Sequence, residues 1–131
     1  MAIGIGMHVQ DPSDDSMNLA MSEAGRPLYD AVKAFVTADV EPLTEEFFRL
    51  GEDRADRWSW APGQLELLDG LKAKARQQGL WNFFLPDDET GQGLSNLDYA
   101  YIAAELGRSR LASESLNCSA PDTGNIEVLE R

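Results

Sequence analysis

The chain has 131 residues, of which 43% are hydrophobic and 26% are charged, and its formal net charge is −12. This length suits one domain, and the composition is that of a folded rather than a disordered chain. The negative charge argues against binding to nucleic acid or to an anionic membrane surface, because both require clustered Lys and Arg. A single cysteine and a single histidine exclude a disulfide scaffold and a Cys/His zinc site.

Residues 1–21 are expected to form a flexible leader, because glycine, aspartate and serine interrupt any apolar period there. No basic residue precedes Arg26, so no secretory or mitochondrial presequence is predicted. No apolar run approaches the ~18 residues that a membrane-spanning helix needs. We therefore expect a soluble intracellular protein, with the cytoplasm as the first choice and mitochondria or peroxisomes left open.

The first predicted helix begins between Ser22 and Pro27 and carries one apolar stripe at spacings of three and four residues. Pro42 lies inside this pattern and is expected to kink the helix or split it in two near Glu41. Gly51 ends the pattern. The stripe consists of Leu28, Val32, Phe35, Val36, Val40, Leu43, Phe47 and Leu50.

A charged loop is predicted for residues 51–61, with Trp58 and Trp60 as its aromatic anchors. The second helix is expected from Pro62 to about Gln78, followed by a left-handed cap at Gly79. The apolar residues 80–85 are too few for a helix and predict a short, buried, extended link. The predicted buried side of the second helix contains Leu65, Leu68, Leu71 and Ala75.

Ser95 is predicted to cap a third helix in a capping-box arrangement with Asp98. This helix is expected to run to about Gly107, with a stripe of Leu97, Tyr101 and Ala104. A short fourth helix is expected around residues 111–117, and a fifth from about Pro121 onwards without a stop signal. The whole pattern predicts an all-α fold, an orthogonal or up-down bundle of about five helices over residues 22–131, incomplete at its C-terminus.

The residues alone predict no catalytic, cofactor-binding or metal-binding site in this chain. Cys118 has no basic neighbour that would lower its pKa, so it is interpreted as a small packing residue. The acidic run at residues 87–89 lacks the ligand spacing of a calcium-binding EF-hand loop and is interpreted as a solvated turn. The Gly91-Gln92-Gly93 segment has no third glycine and follows three acids, which would repel a pyrophosphate.

Four segments, in order, resemble the N-terminal α-helical domain of the acyl-CoA dehydrogenase family. The central one, residues 85–107, reads LPDDETGQGLSNLDYAYIAAELG and contains the family's Gly-x-Gly-Leu-Ser loop before an alanine-rich helix with a glutamate. Upstream are FVTADVEPLTEEF at 35–47 and LKAKARQQGLWNFFLP at 71–86. Downstream, LNCSAPDTGNIEVLER at 116–131 resembles a branch of the family fused to or paired with kinase-like domains in animals.

The resemblance implies a flavoprotein oxidoreductase of fatty-acid metabolism that removes hydrogens from Cα and Cβ of an acyl-CoA thioester. In that family a base takes the α proton while FAD accepts the β hydride. FAD lies between a central β domain and a C-terminal helical domain that carries the catalytic carboxylate, so both are expected beyond Arg131. The implied partners are the acyl-CoA substrate, the remaining dehydrogenase domains and, at full length, further copies of the subunit.

The resemblance also suggests four candidates for lining the acyl pocket, which are Tyr101, Glu105, Ser119 and Thr123. Many family members carry Glu-Glu-Leu where this chain has Ala104-Glu105-Leu106, and helix packing or capping is the alternative role for all four candidates. An alternative function is that of a standalone acidic helical module that binds other proteins. Its contact surfaces would be the last helix and the aromatic segment 81–85.

Overall fold

The computed structural model describes residues 18–130, and within this range it contains six α-helices and no β-strand. The all-α prediction is confirmed, since the first predicted helix, allowed to split at Pro42, accounts for two of the six. The predicted leader, residues 1–21, lies mostly outside the described range. The helices are α1 Arg26–Phe35, α2 Glu41–Leu50, α3 Gln64–Gln77, α4 Asn96–Leu106, α5 Ala112–Ser115 and α6 Asp122–Glu130. No helix in this part of the chain is long and apolar enough to cross a membrane.

The break between α1 and α2 is a π-helical turn at Val36–Val40. Pro42 lies in the first turn of α2 and has no amide hydrogen to donate to the preceding turn. Val40 and Glu41 both keep a right-handed helical backbone, so the disturbance predicted near Glu41 takes the form of a π-helical turn and not of a complete split. Helix α1 begins at Arg26, within the predicted interval, and Gly25 occupies its N-cap position.

The core lies between α1, α3, α4 and the segments that join them. The helix α1 packs mainly against α4, while α3 contacts both α2 and α5. The predicted stripe of the first helix is buried at its centre and half-buried at Leu28, Leu43 and Leu50. The largest fully buried apolar side chains are Phe35, Phe83, Leu68, Leu71, Ile102, Leu116, Val32, Val36 and Val40.

Segment 80–85 is buried as predicted, but its backbone forms consecutive turns instead of an extended link. Asn82 has a φ of 59°, in the left-handed region, which reverses the chain and turns Phe83 into the core at 0% exposure. Gly79 ends α3 with a φ of 70°, as predicted. Because Gly79 and Asn82 both have left-handed backbones, the chain changes direction twice within a few residues after α3.

Two predicted faces are wrong in detail. On α3 the buried residue of the first turn is Gln64, whereas Leu65 is 44% exposed. On α4 the predicted stripe through Tyr101 is largely exposed, and the buried face instead consists of Asp98, Ile102 and Leu106.

The N-terminal end of α4 is joined to the segment before α1 by a buried carboxylate. Ser95 caps α4 by accepting a hydrogen bond from the Asp98 amide at 3.1 Å, as predicted. The Asp98 carboxylate accepts from the Ser22 amide, the Ser22 hydroxyl and the Ser95 hydroxyl, each at 2.8 Å. The Ser22 donors, with that of Ser95, lower the pKa of Asp98 because they stabilise its charged form.

Candidate functional site

A groove of about 370 Å³ lies between the turn after Leu85, the start of α4 and the body of α6. Its volume falls within the range of about 300–1,000 Å³ typical of small-molecule sites. Apolar rings and polar side chains alternate along it, and Thr123 is the only predicted candidate among its lining residues. We call it the α4–α6 groove, and it is lined by Phe84, Pro86, Leu94, Asn96, Tyr99, Thr123 and Glu127.

Two titratable side chains near the α4–α6 groove, Tyr99 and Cys118, have raised pKa values. Burial, together with the charges of Cys118 and Glu127, raises the pKa of Tyr99. Burial raises the pKa of the Cys118 thiol to about 12, with a smaller contribution from Glu114. Near neutral pH the Tyr99 hydroxyl and the nearby Cys118 thiol are therefore neutral, and neither is prepared to act as a base or a nucleophile. The lining also contains the Glu127 carboxylate.

A pair of asparagines fixes the segment that leads into α6. Asn82 and Asn117 both have left-handed backbones, with φ values of 59° and 60°. The Asn117 side-chain amide donates to the Asn82 side-chain oxygen at 2.6 Å. This bond joins the turn after α3 to the end of α5, and it sets the position of the chain that continues through Ser119.

Ser119 and Thr123 lie together at the start of α6, and both are half-buried. The Ser119 carbonyl accepts a hydrogen bond from the Asp122 amide at 3.0 Å, so its backbone closes the first turn of α6. The Thr123 side chain borders the α4–α6 groove.

Tyr101 and Glu105 project from α4 toward the N-terminal segment and α1. The Tyr101 hydroxyl donates to the Leu19 carbonyl at 2.7 Å. Glu105 accepts from the Tyr29 hydroxyl at 2.8 Å and from Arg108 at 3.0 Å, and these two bonds lower its pKa. Both side chains thus join α4 to the N-terminal part of the fold, and within residues 18–130 no hydrogen bond connects them with Ser119 or Thr123.

Sequence reasoning missed the side chains that form most of the α4–α6 groove. Asn96 and Tyr99 are three residues apart on α4, so they share one side of the helix. The predicted apolar stripe through Tyr101 lies on the neighbouring side and does not include them. Leu94 and Phe84 carried a usable signal, since each is a large apolar residue flanking the turn at residues 86–93.

The Gly91-Gln92-Gly93 segment is explained by packing. A Cβ atom on Gly91 would lie 2.0 Å from the Leu85 carbonyl oxygen, so only glycine allows these two backbone segments to approach. The adjacent cavity of about 470 Å³ is bordered by carboxylates, among them Glu89 and Glu127, and this negative lining does not fit the pyrophosphate of FAD. Within residues 18–130, no cluster of three or more His, Cys, Asp or Glu residues is arranged to hold a metal ion.

Comparison with known proteins gives consistent matches, although no family model matches the chain. The chain is 45% identical over 116 residues to acyl-CoA dehydrogenase family member 10 of Mus musculus, covering 85% of this chain and 10% of that protein. It is 41% identical over 108 residues to acyl-CoA dehydrogenase family member 11 of Homo sapiens, covering 80% of this chain and 13% of that protein. A solved Mycobacterium abscessus protein described as a "putative acyl-CoA dehydrogenase" aligns with a TM-score of 0.69 at 45% identity, covering 86% of this chain and 28% of that one.

The fold is that of an all-α domain. The similar proteins found by sequence and by structure are all described as acyl-CoA dehydrogenases. The chain belongs to the acyl-CoA dehydrogenase family. It spans 10% and 13% of the two curated relatives and 28% of the solved protein, so it corresponds to one region of these larger proteins.

Proposed function

We propose that the chain is the N-terminal helical domain of an FAD-dependent acyl-CoA dehydrogenase, which carries out α,β-dehydrogenation of acyl-CoA thioesters. The supporting observation is the agreement between 45% sequence identity and a TM-score of 0.69 to a protein described as an acyl-CoA dehydrogenase. The acidic lining of the cavity beside Gly91 does not suit a pyrophosphate, and in this proposal the flavin and the catalytic base belong to other parts of the enzyme. Further copies of the subunit complete the assembly.

Within this proposal, the α4–α6 groove is part of the wall of the acyl pocket. Its apolar portion, formed by Phe84, Pro86 and Leu94, suits an alkyl chain, because moving each methylene group out of water contributes about 0.8 kcal/mol. Thr123 contacts the ligand directly. Ser119 fixes the start of α6, while Tyr101 and Glu105 hold α4 in place from its other side.

Amide chemical shifts of the ¹⁵N-labelled chain, titrated with octanoyl-CoA, test the wall directly. We expect changes that cluster at Leu94, Tyr99 and Thr123 and that free coenzyme A does not produce, since only the acyl chain occupies the groove. Thr123→Trp fills the groove and should abolish these changes. Changes confined to residues outside the groove would contradict the proposed wall.

We further propose that the chain is inactive by itself, because in the proposed enzyme the flavin and the catalytic base belong to other domains. Purified chain mixed with FAD, octanoyl-CoA and an artificial electron acceptor should show no flavin reduction above a protein-free control. Measurable substrate-dependent reduction would refute the claim of inactivity without affecting the pocket-wall proposal.

A standalone interaction module remains the second candidate function, and one observation favours it. Val128 and Leu129 on α6 are 75% and 85% exposed, which is typical of surfaces that meet another protein. In the other surface expected for this function, residues 81–85, only Trp81 and Asn82 are half-buried and residues 83–85 are buried. Sedimentation velocity of the chain and of Leu129→Ser tests whether the exposed pair on α6 mediates self-association: a monomer unaffected by the substitution would count against self-association through this helix.

A further inference from the structure

Glu127 stands between two cavities, since it lines both the α4–α6 groove and the adjacent cavity of about 470 Å³. It lies on α6 one turn after Thr123, so the two side chains share one side of the helix. Glu127 is half-buried, whereas Val128 and Leu129, the two residues that follow it, are 75% and 85% exposed. Helix α6 therefore turns a carboxylate, and not these two apolar side chains, toward the groove.

The charged side chains around the groove have one sign. The described lining of the two cavities contains no lysine and no arginine, and the adjacent cavity adds the carboxylates of Asp87, Glu89 and Glu130 to that of Glu127. Within residues 18–130, none of the ion pairs includes any of these four acids. Because Glu127 is half-buried, salt screens its charge less than that of a fully exposed residue.

The helix ends near the groove do not reverse this sign. The first turns of α4 and α6 border the groove, and a helix N-terminus has a partial positive charge. Each of these turns contains its own acid, Asp98 in α4 and Asp122 in α6, and these acids offset the partial charge.

The charge of Glu127 acts on groups inside the groove. Burial, followed by the charges of Cys118 and Glu127, raises the pKa of Tyr99, which lines the groove opposite α6. The same field acts on any group that an acyl chain carries into the groove. A negative group there is repelled and also loses hydration, whereas a positive group loses hydration but is attracted.

We propose that Glu127 determines which acyl chains the α4–α6 groove accepts: chains with a neutral or cationic end enter it, and chains that end in a carboxylate are excluded. The inference rests on the proposed function, since it takes the groove to be a wall of the acyl pocket. Glu127 is a specificity residue in this proposal and takes no part in the chemical step. Specificity of this kind comes from a repulsive element directed against the wrong ligand, because like charges brought together in a binding site are costly.

Acyl-CoA probes of equal chain length separate repulsion from the loss of hydration. Octanoyl-CoA, 8-aminooctanoyl-CoA and octanedioyl-CoA have a neutral, a cationic and an anionic end, and amide shifts of the ¹⁵N-labelled chain at Leu94 and Tyr99 give the affinity of each. The amides of Trp58 and Trp60 are the reference positions, because these side chains, predicted to be loop anchors, are 81% and 51% exposed and lie outside the groove. Since both charged ends lose hydration in the groove, we expect the cationic probe to bind at least about tenfold more tightly than the anionic one.

Substitutions of Glu127 should change this ratio of affinities. Glu127→Gln should lower the ratio about tenfold and Glu127→Lys should invert it, while the affinity for octanoyl-CoA stays within about twofold of wild type. Glu130→Gln is the matched control, because it removes the same charge from α6 but borders only the adjacent cavity, and it should leave the ratio within about twofold. Circular dichroism verifies that each variant is folded.

Two results would overturn the inference and leave the pocket wall intact. One is equal affinity of the cationic and anionic probes while octanoyl-CoA still shifts the groove amides. The other is an equal fall of the ratio in Glu127→Gln and Glu130→Gln, which would assign the effect to the net charge of the chain. Octanoyl-CoA shifts confined to residues outside the groove would overturn the proposed pocket wall, and this inference with it.

Discussion

Replacing Gln64 by leucine should destabilise the fold, even though the position is only 3% exposed. The side-chain amide of Gln64 donates to the Phe47 carbonyl at 2.9 Å, and its oxygen accepts from the Ala61 amide at 3.0 Å. One polar side chain thereby joins α2, the loop and α3. A hydrophobicity argument alone would favour leucine here, so the substitution separates the two kinds of reasoning.

The magnitude follows from which groups lose their partners. Leucine leaves the buried Ala61 amide unsatisfied, which costs about 1–3 kcal/mol, and removes one further hydrogen bond worth about 0.5–1.5 kcal/mol. The Phe47 carbonyl keeps its bond from the Gly51 amide and is not left unpaired. Extra apolar burial returns about 1 kcal/mol, so the net loss of unfolding free energy is about 1–3 kcal/mol.

Urea denaturation followed by circular dichroism measures this loss. With a slope of about 1–3 kcal/mol per molar urea, the midpoint of Gln64→Leu should fall by about 1 M. Leu65→Gln is the matched control: Leu65 is 44% exposed, so its variant should stay within about 0.5 kcal/mol of wild type. The reasoning is refuted if Gln64→Leu is as stable as wild type while Leu65→Gln unfolds earlier.

Three further predictions concern the carboxylate, the glycines and the thiol. The hydrogen bonds that lower the pKa of Asp98 stabilise the fold at pH values above the unfolded-state pKa of about 3.9. This stabilisation is lost as the pH falls through the lower pKa of Asp98 in the folded state. Asp98→Asn should therefore be less stable than wild type at pH 7, and its unfolding free energy should fall less steeply when the protein is titrated with acid. Gly91→Ala places a Cβ against the Leu85 carbonyl oxygen and should lower the melting temperature strongly. Gly124→Ala, in α6, meets open space and should be neutral or stabilising by up to about 1 kcal/mol. A higher melting temperature for Gly91→Ala than for Gly124→Ala would be inconsistent with this backbone packing. Cys118, with a pKa of about 12, should react with Ellman's reagent at pH 8 far more slowly than free cysteine, and rapid labelling of the folded chain would show that it is not buried.

The boundaries of the helices could be predicted because local chemistry determines them. Pro42 disturbs the first helix, which passes through a π-helical turn just before it. Gly79 ends α3 through its left-handed backbone, and Ser95 caps α4 with its own hydroxyl. Each of these signals acts over a few residues, so the sequence contains the whole cause.

The buried faces could not be predicted equally well, because distant residues determine them. Asp98 is buried on α4 since Ser22, 76 positions earlier, supplies two of its donors. That contact rotates α4 so that Ile102, and not Tyr101, faces the core. Gln64 is likewise buried by a carbonyl 17 positions away. Hydrophobic periodicity contains no information about such polar contacts across the fold.

The candidate site was predicted only in part. The resemblance to the family directed attention to residues 101–123, and Thr123 does border the α4–α6 groove. Tyr99 and Leu94 were missed because they are only partly buried against the core, and a groove wall has no periodic signature. For Tyr101, Glu105 and Ser119 the role proposed above is the alternative one, helix packing and capping, and their predicted place in the pocket is untested.

Paramagnetic relaxation by an acyl-CoA with a nitroxide on its acyl chain tests the central claim most directly, because it detects weak binding and reports position. If the α4–α6 groove is a wall of the acyl pocket, the amides of Leu94, Tyr99 and Thr123 should broaden first, and Thr123→Trp should remove the effect. The amides of Leu65 and Trp58, on other surfaces, should remain sharp. Equal broadening at all of these positions, or broadening confined to the surfaces of Leu65 and Trp58, would contradict the account.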